Sequence, residues 1–406
     1  MFDPTTIVGV VGAGAMGRGI AQVAASAGHN VVLADARPGA ASDALATIGG
    51  ALAGLVSKGK LEAAARDAMR GRITAVESPA AGRATIEART SFVDVSAFAR
   101  CGLVIEAIVE DLPAKRDLFS RLAAATADNA VLATNTSSLS VAAIAAGNPA
   151  SARVIGLHFF NPPPLMPLVE VVPWAGTNPD VRDACLALMG RWKKVAVGCS
   201  DTPGFIVNRV ARPFYGEALR IAEEGTADYA TIDWAMRTIG GFRMGPFELM
   251  DFIGNDVNFA VTRSIYEGFF FEPRYRPSLT QQALVASGFL GRKSGRGYYD
   301  YREGAAMPEP TRDEAAGAAI VDRIRAMLIN EAVDALRLGV ASAADIDTAM
   351  VSGVNYPRGL LAWCDELGAD AVLTTLERLH TEHGEERYRP SPLLRQAARD
   401  KRSFRS

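Results

Sequence analysis

The sequence predicts an α/β domain over residues 1–198, followed by an all-α region present as two tandem copies, 199–302 and 313–406. Two observations carry this. Up to about residue 198, short apolar runs alternate with Ala-rich stretches of helical periodicity, and beyond Asp201-Thr202-Pro203-Gly204 that alternation stops. The last quarter of the chain then repeats the residues before it at a fixed offset.

In chain order, the strand candidates are Ile7–Val11, Val31–Ala34, Leu103–Glu106, Val131–Thr134, Val154–His158, Leu168–Val172 and Lys194–Val197. Between them Arg18–Ala27, Ala114–Ala125 and Val181–Trp192 carry apolar residues at helical spacing. Such alternation implies a parallel sheet with helices on both faces. The stretch 40–72 is long, Ala-rich and punctuated by Gly, and reads as a helical hairpin inserted after the second strand. At the change of texture Thr202 suits an N-cap and Pro203 a first helical turn. From there to about residue 290 the chain reads as helical, and the Gly-rich basic turn Gly291–Gly297 closes this copy. Residues 303–312, with Gly304, Pro308 and Pro310, read as a linker.

An ungapped shift of 114 residues places Arg209 on Arg323, Glu217 on Glu331, Asp233 on Asp347, Gly245 on Gly359 and Asp251 on Asp365. Near the end the register slips by one, so that Tyr275-Arg276-Pro277-Ser278 matches Tyr388-Arg389-Pro390-Ser391. Coincidences of this number at one offset mark a duplication.

A net charge of −2 gives no electrostatic reason to expect nucleic acid, and any anionic ligand must be met by local cations. Cys101, Cys185, Cys199 and Cys364 form no metal-ligand spacing and read as buried small hydrophobes in a reducing compartment. The first residues lack a basic segment before an apolar run, and no window holds 18 uninterrupted apolar residues. The expectation is a cytoplasmic protein with no membrane span and no bound metal.

Gly12-Ala13-Gly14-Ala15-Met16-Gly17 follows the first strand and opens a helix. Gly12 permits the tight turn, Gly14 lets backbone approach a pyrophosphate, and Gly17 lets helix and strand pack closely. The helix N-terminus offers unpaired N–H groups to phosphate. Asp35 ends the second strand, 18 residues beyond Gly17, where it can accept hydrogen bonds from an adenosine ribose and would repel a 2′-phosphate. The first domain is therefore expected to be a Rossmann-like dinucleotide-binding domain that takes NAD rather than NADP, with FAD as a competitor for the same fingerprint.

Of the four histidines, His29 lies in a turn, and His380 and His383 form an HxxH pair with no metal-site partners, read as a solvated helix end. His158 ends an apolar strand and is followed by Pro162-Pro163-Pro164, after which a second strand carries Glu170. If the chain reverses at the prolines, His158 and Glu170 are equidistant from Pro164 and face each other across an antiparallel pair, with Cβ atoms roughly 5 Å apart. A carboxylate on one imidazole nitrogen fixes the tautomer and leaves the other nitrogen to act as base. A buried pair that merely satisfies itself is the alternative. Asn135–Ser138 and Glu106–Asp111, with Lys115 a turn later, follow strands where an open α/β sheet places its ligand, and also suit caps and turns.

Together the fingerprint, Ile105–Glu110, Asn135–Leu139, Gly156–Pro162, Leu168–Val171 and Asp201–Arg209 resemble the L-3-hydroxyacyl-CoA dehydrogenase family over about residues 6–302. The tail resembles the second helical repeat of longer bacterial members. The resemblance implies His158 as general base held by Glu170, with Ser137 and Asn208 bonding the substrate oxygen and acyl portion. It further implies Gly12, Gly14, Gly17, Asp35, Glu110, Lys115, Ser137, Asn161 and Lys293 as cofactor contacts, and Lys58 as a contact to coenzyme A. The product is a 3-ketoacyl-CoA, as in fatty acid or aromatic acid degradation. Ala51 stands where some relatives carry a CoA-contacting serine, and Asp322 stands at the repeat's counterpart of Asn208. Single-repeat members dimerise through the helical domain, which implies that the second copy covers that surface from within the chain, as a monomer or a homodimer.

A relative acting on a free hydroxy acid, of the gulonate type, shares the His–Asn–Pro–Pro element. Phe159-Phe160 and Lys58 favour the acyl-CoA reading. A catalytically silent NAD-binding protein is a third possibility, opposed by the joint presence of Ser137, His158, Glu170 and Asn208.

Overall fold

The structure is a computed structural model that describes residues 1–77 and 93–405; Met1–Asp201 and Thr202–Ser406 form separate units. In the first, strand β1 (Ile7–Val11) leads through α1 (Ala15–Ser26) to β2 (Val31–Ala34). Helices α2 (Ala40–Ser57) and α3 (Ala63–Gly71) pack as a pair and lead to β3 (Ile73–Val76). The chain then continues through β4 (Cys101–Glu106), α4 (Leu112–Ala125), β5 (Val131–Thr134), α5 (Val141–Ala145) and β6 (Val154–Phe159). It ends with β7 (Leu168–Val172), α6 (Pro179–Arg191) and β8 (Val195–Gly198).

Among the described residues, eight strands form one sheet in the order β3-β2-β1-β4-β5-β6-β7-β8. All pairs are parallel except β6–β7, which is antiparallel. The chain winds outward from β1 to β3 and then returns to β4 on the other side. The crevice beyond the carboxyl ends of β1 and β4 is thus the topological switch point, where such sheets bind ligands. Val8, Val10, Leu103, Ile105, Val131 and Ile155 are buried at the sheet centre. Each such side chain is worth about 1.5–3 kcal/mol relative to exposure.

The alternation of strands and helices is found as expected, with one strand missed. Ile73–Val76 directly follows the hairpin, pairs with β2 alone among the described residues and has a single buried residue, so it leaves little apolar signal. Helix α2 is, among the described residues, the one helix long and apolar enough to cross a membrane. It lays Ala40, Ala44, Ile48 and Leu52 on the core of this unit.

The second unit is helical. It comprises α7 (Val207–Val210), α8 (Arg212–Glu223), α9 (Tyr229–Trp234), α10 (Pro246–Ile253), α11 (Asn255–Gly268) and α12 (Leu279–Ala286). After the bridges Gly291↔Arg296 and Arg296↔Asp300 follow α13 (Glu314–Arg337), α14 (Ala343–Val354), α15 (Leu360–Leu367), α16 (Ala369–His383) and α17 (Pro392–Asp400). No helix starts at Thr202 and Pro203, contrary to expectation. Residues 203–206 form turns with Gly204 and Phe205 at φ 75° and 49°, and the first helical residue is Val207.

The duplication extends to the capping bonds. Asp233 accepts from the Phe247 and Glu248 N–H groups, both at 2.9 Å, to cap α10. Asp347 accepts from Leu361 at 2.8 Å and Ala362 at 3.0 Å to cap α15. Both aspartates thus satisfy otherwise orphaned helix N–H groups at matched positions.

Candidate active site

The Gly-rich turn sits in the crevice between β1 and β4. Gly12 has φ 101°, and a Cβ there would meet the Ala107 carbonyl; a Cβ on Gly17 would meet the Gly12 carbonyl. Both positions therefore require glycine. Gly14 is different, because nothing lies within 4 Å of where its Cβ would be. It is the N-cap of α1 and makes no side-chain capping bond, so the α1 N-terminus is left for a ligand to satisfy. Asp35 closes the turn, accepting from the Ala13 N–H at 2.7 Å and the Arg37 N–H at 2.8 Å. This cradle fits the pyrophosphate and ribose of a dinucleotide.

Next along the sheet, Glu106 is fully buried, accepting from the Lys115 ammonium at 2.6 Å, the Thr134 hydroxyl at 2.7 Å and the Ile108 N–H at 2.7 Å. Lys115 is itself buried and also pairs with Glu110 at 3.2 Å, so it supports Glu110 from beneath. Glu110 gathers the loop after β5. It accepts from the Thr136 hydroxyl at 2.5 Å, the Ser138 hydroxyl at 2.9 Å, and the Ser137 and Ser138 N–H groups at 3.1 Å. Burial raises the Glu110 pKa, but Lys115 and the Thr136 and Ser138 hydroxyls outweigh it, holding the carboxyl below its ordinary value.

At the end of β6 the register pairs His158 with Glu170 across the antiparallel ladder. His158 Nδ1 lies 2.6 Å from Glu170 Oε2, with Glu170 fully buried and His158 6% exposed. The reversal after Pro162 is closed by the Leu165 and Met166 N–H groups, both donating to the Pro162 carbonyl at 3.0 Å. Phe160 stacks obliquely on the imidazole, with ring centroids 4.5 Å apart. Asn135 accepts from the Phe159 N–H at 2.8 Å and so ties the β5 loop to the residue after His158.

Sequence reasoning had not singled out Asn135, Thr134 or Glu106 for these roles. Their signal was a polar residue at the end of an apolar strand, which is also the signal of an ordinary turn. Asp201 was missed for the same reason: it caps α5, accepting from the Ser140 hydroxyl and the Ala142 N–H at 2.8 Å and from the Val141 N–H at 3.0 Å.

A cleft of about 710 Å³ lies between α1, α2 and the Pro162–Leu165 turn, with Asn161 and Ala51 in its wall. Its lining is apolar along Ile48, Leu52 and Leu55 and cationic at Arg18, Arg191 and Lys193. Lys58 is the exposed C-cap of α2, placed in sequence between two cleft residues, Leu55 and Leu61. In the second unit Asn208 is half-buried on α7, and Lys293 pairs with Asp256 at 2.5 Å.

The remaining histidines and the cysteines stand apart from this site. His29 Nδ1 lies 2.9 Å from the Thr6 carbonyl and His380 Nδ1 lies 3.2 Å from that of Glu385. His380 and His383 are half-buried rather than solvated. All four cysteines are buried. Burial pushes the Cys101, Cys185 and Cys364 thiols up to about 12, away from thiolate chemistry.

Among known proteins, the family model for the NAD-binding domain of 3-hydroxyacyl-CoA dehydrogenase matches residues 7–202. The model for the C-terminal domain of that family matches two segments, 204–301 and 320–405, as the duplication requires. The chain is 41% identical to the 3-hydroxyadipyl-CoA dehydrogenase of Escherichia coli K12, over 96% of its own length and 97% of that protein. It is 39% identical to the mitochondrial hydroxyacyl-coenzyme A dehydrogenase of Sus scrofa, over 73% of this chain and 91% of that one. Among solved structures, the 3-hydroxybutyryl-CoA dehydrogenase of Escherichia coli K12 matches with TM-score 0.88 and 39% identity, covering 97% of this chain and 98% of the other. The (S)-3-hydroxybutyryl-CoA dehydrogenase of Ralstonia eutropha matches with TM-score 0.67 and 35% identity, covering 74% and 100%.

Proposed function

The chain belongs to the 3-hydroxyacyl-CoA dehydrogenase family and is an NAD-dependent oxidoreductase, and from that premise we propose that His158 is the general base that takes the hydroxyl proton when the 3-hydroxyl of an L-3-hydroxyacyl-CoA is oxidised. The observation that carries this reading is the 2.6 Å contact between His158 Nδ1 and the buried Glu170 carboxylate at the end of β6.

A carboxylate only accepts, so the proton of the neutral imidazole sits on Nδ1 and the lone pair on Nε2. As the substrate O–H bond breaks, its proton passes to Nε2. The positive charge that develops on the ring is stabilised by Glu170, so the interaction strengthens along the reaction coordinate. NAD, when bound, supplies the acceptor for the hydride leaving C3. Ser137 and Asn208 hydrogen-bond the substrate oxygen and acyl portion.

Gly12, Gly14 and Gly17 hold the dinucleotide pyrophosphate and Asp35 its ribose. Glu110, Asn161, Ser137 and Lys293 make further cofactor contacts, with Lys115 acting through Glu110. Lys58 meets coenzyme A. The basic rim of the cleft beside α2 supplies the local cations that a chain of net charge −2 must provide for CoA phosphates. The same reading places the enzyme in the cytoplasm, as a monomer or a homodimer.

Acetoacetyl-CoA added to enzyme and NADH tests the activity by loss of NADH absorbance. The absence of any loss across butyryl, decanoyl and dicarboxylic 3-ketoacyl-CoAs rejects it. His158→Gln is expected to keep NADH binding while turnover falls about 10²–10⁴-fold, the usual span for a general base. Unchanged turnover removes His158 from the mechanism.

A further inference from the structure

The duplicated helical copies exchange a reciprocal set of buried ion pairs. Arg209 Nε of the first copy lies 2.6 Å from Glu331 of the second, and Arg323 Nε of the second lies 3.1 Å from Glu217 of the first. Arg274 and the Tyr275 hydroxyl join Glu331 at 3.0 and 2.6 Å. Their counterparts Arg387 and Tyr388 join Glu217 at 3.5 and 3.0 Å. Phe242 and its counterpart Tyr356 meet edge to face, with centroids 5.0 Å apart.

The backbone that these pairs hold is not equivalent in the two copies. Asn208 and Arg209 lie on α7, a single turn of helix that follows the left-handed residues Gly204 and Phe205. The turn runs on through Ala211, in αR conformation, into α8, so its C-terminal side has helical support while its N-terminal side, where no helix precedes it, is held by tertiary contacts. Those contacts are Val207 and Val210 in the core and the guanidinium of Arg209, which is 1% exposed. Arg212 Nε also donates to the Asn208 carbonyl at 2.6 Å. In the second copy the matching residues, Asp322 and Arg323, lie inside the continuous helix α13. There the i→i−4 bonds on both sides fix the backbone without help.

We propose that Glu331 is a positioning residue: through Arg209 it sets the place of Asn208, so the second copy, lacking that asparagine, serves as the anchor of the first copy's substrate contact. The inference rests on the reading of Asn208 as a substrate-bonding residue.

The pseudo-symmetry supplies its own control. Glu331→Gln and Glu217→Gln make the same chemical change in matched buried networks, each backed by a second carboxylate, Asp334 or Glu224. Both variants are expected to lower the melting temperature. Only Glu331→Gln is expected to lower kcat/KM for the acyl-CoA, by about tenfold or more, since a displacement near 1 Å can cost 10². NADH affinity is expected to stay within twofold in both (about 0.4 kcal/mol), and Glu331→Asp to recover part of the loss. Equal kinetic losses in the two variants, or none in Glu331→Gln, overturn the proposal. Where Glu331→Gln does not fold, Arg209→Lys against Arg323→Lys applies the same contrast. Asn208→Ala separates the premise: if that variant is as active as the parent, the reading of Asn208 fails and the inference with it; if it is impaired while Glu331→Gln is not, only the inference fails.

Discussion

Replacement of Glu170 by Gln changes one buried carboxylate to an amide of the same shape, at the position that pairs with His158 across β6 and β7. Two losses follow. The charge pair that forms when His158 takes up a proton disappears. With Nδ1 and Oε2 at 2.6 Å, the charge centres lie about 4 Å apart, worth about 4 kcal/mol at an effective dielectric of 20. At 1.36 kcal/mol per decade this is about 10³ in rate. The amide N–H₂ can also donate to Nδ1, which moves the ring proton to Nε2 and removes the base. Both effects act in the same direction, as with the Asp-to-Asn change of a serine-protease triad, where the drop is about 10⁴. The expected result is a kcat lower by 10³–10⁴ in the oxidation of 3-hydroxybutyryl-CoA, with NADH binding by fluorescence unchanged. A loss below tenfold refutes the reasoning, because it means that no charge develops on His158 beside Glu170.

Three further outcomes are expected. Gly14→Ala, where nothing lies within 4 Å of the new methyl, keeps the melting temperature within a degree or two but weakens NADH binding at least tenfold; Gly17→Ala, whose Cβ meets the Gly12 carbonyl, lowers both. Equal NADH affinity in Gly14→Ala and parent contradicts the pyrophosphate assignment. Asp35→Ser removes the charge set against a 2′-phosphate and raises the NADPH-to-NADH ratio of kcat/KM by at least tenfold, measured with acetoacetyl-CoA. The depressed pKa of Glu110 gives stability that is present above its ordinary value near 4.5 and lost as pH falls through the folded value. The melting-temperature gap between parent and Glu110→Gln is therefore expected at neutral pH and should close on acidification below about 4.5; a gap that widens contradicts the sign.

Much of the fold was legible because its signals are local. Each central strand is an apolar run, since a sheet covered on both faces gives no polar alternation, and each helix carries its buried residues at helical spacing. Ile73–Val76 escaped because a strand with one buried residue lacks that run. Thr202-Pro203 imitated a helix start because cap preferences describe one turn and do not contain the left-handed pair Gly204-Phe205 that delays the helix to Val207. The His158–Glu170 register could be anticipated, because a proline-centred reversal leaves two strands only one symmetric way to pair.

The sequence by itself determined the Gly-rich turn after β1, the antiparallel partner of His158 and the existence of a duplication, all of which depend on residues close in the chain or on a fixed offset. Tertiary structure alone decided that Lys115 lies beneath Glu110, that Asn135 locks the residue after His158, and that Arg209 pairs with Glu331 while Arg323 pairs with Glu217. The physical reason is common to these contacts. A buried polar group must find a partner, but which of several charges within reach becomes that partner depends on how distant segments pack, and no local pattern records it.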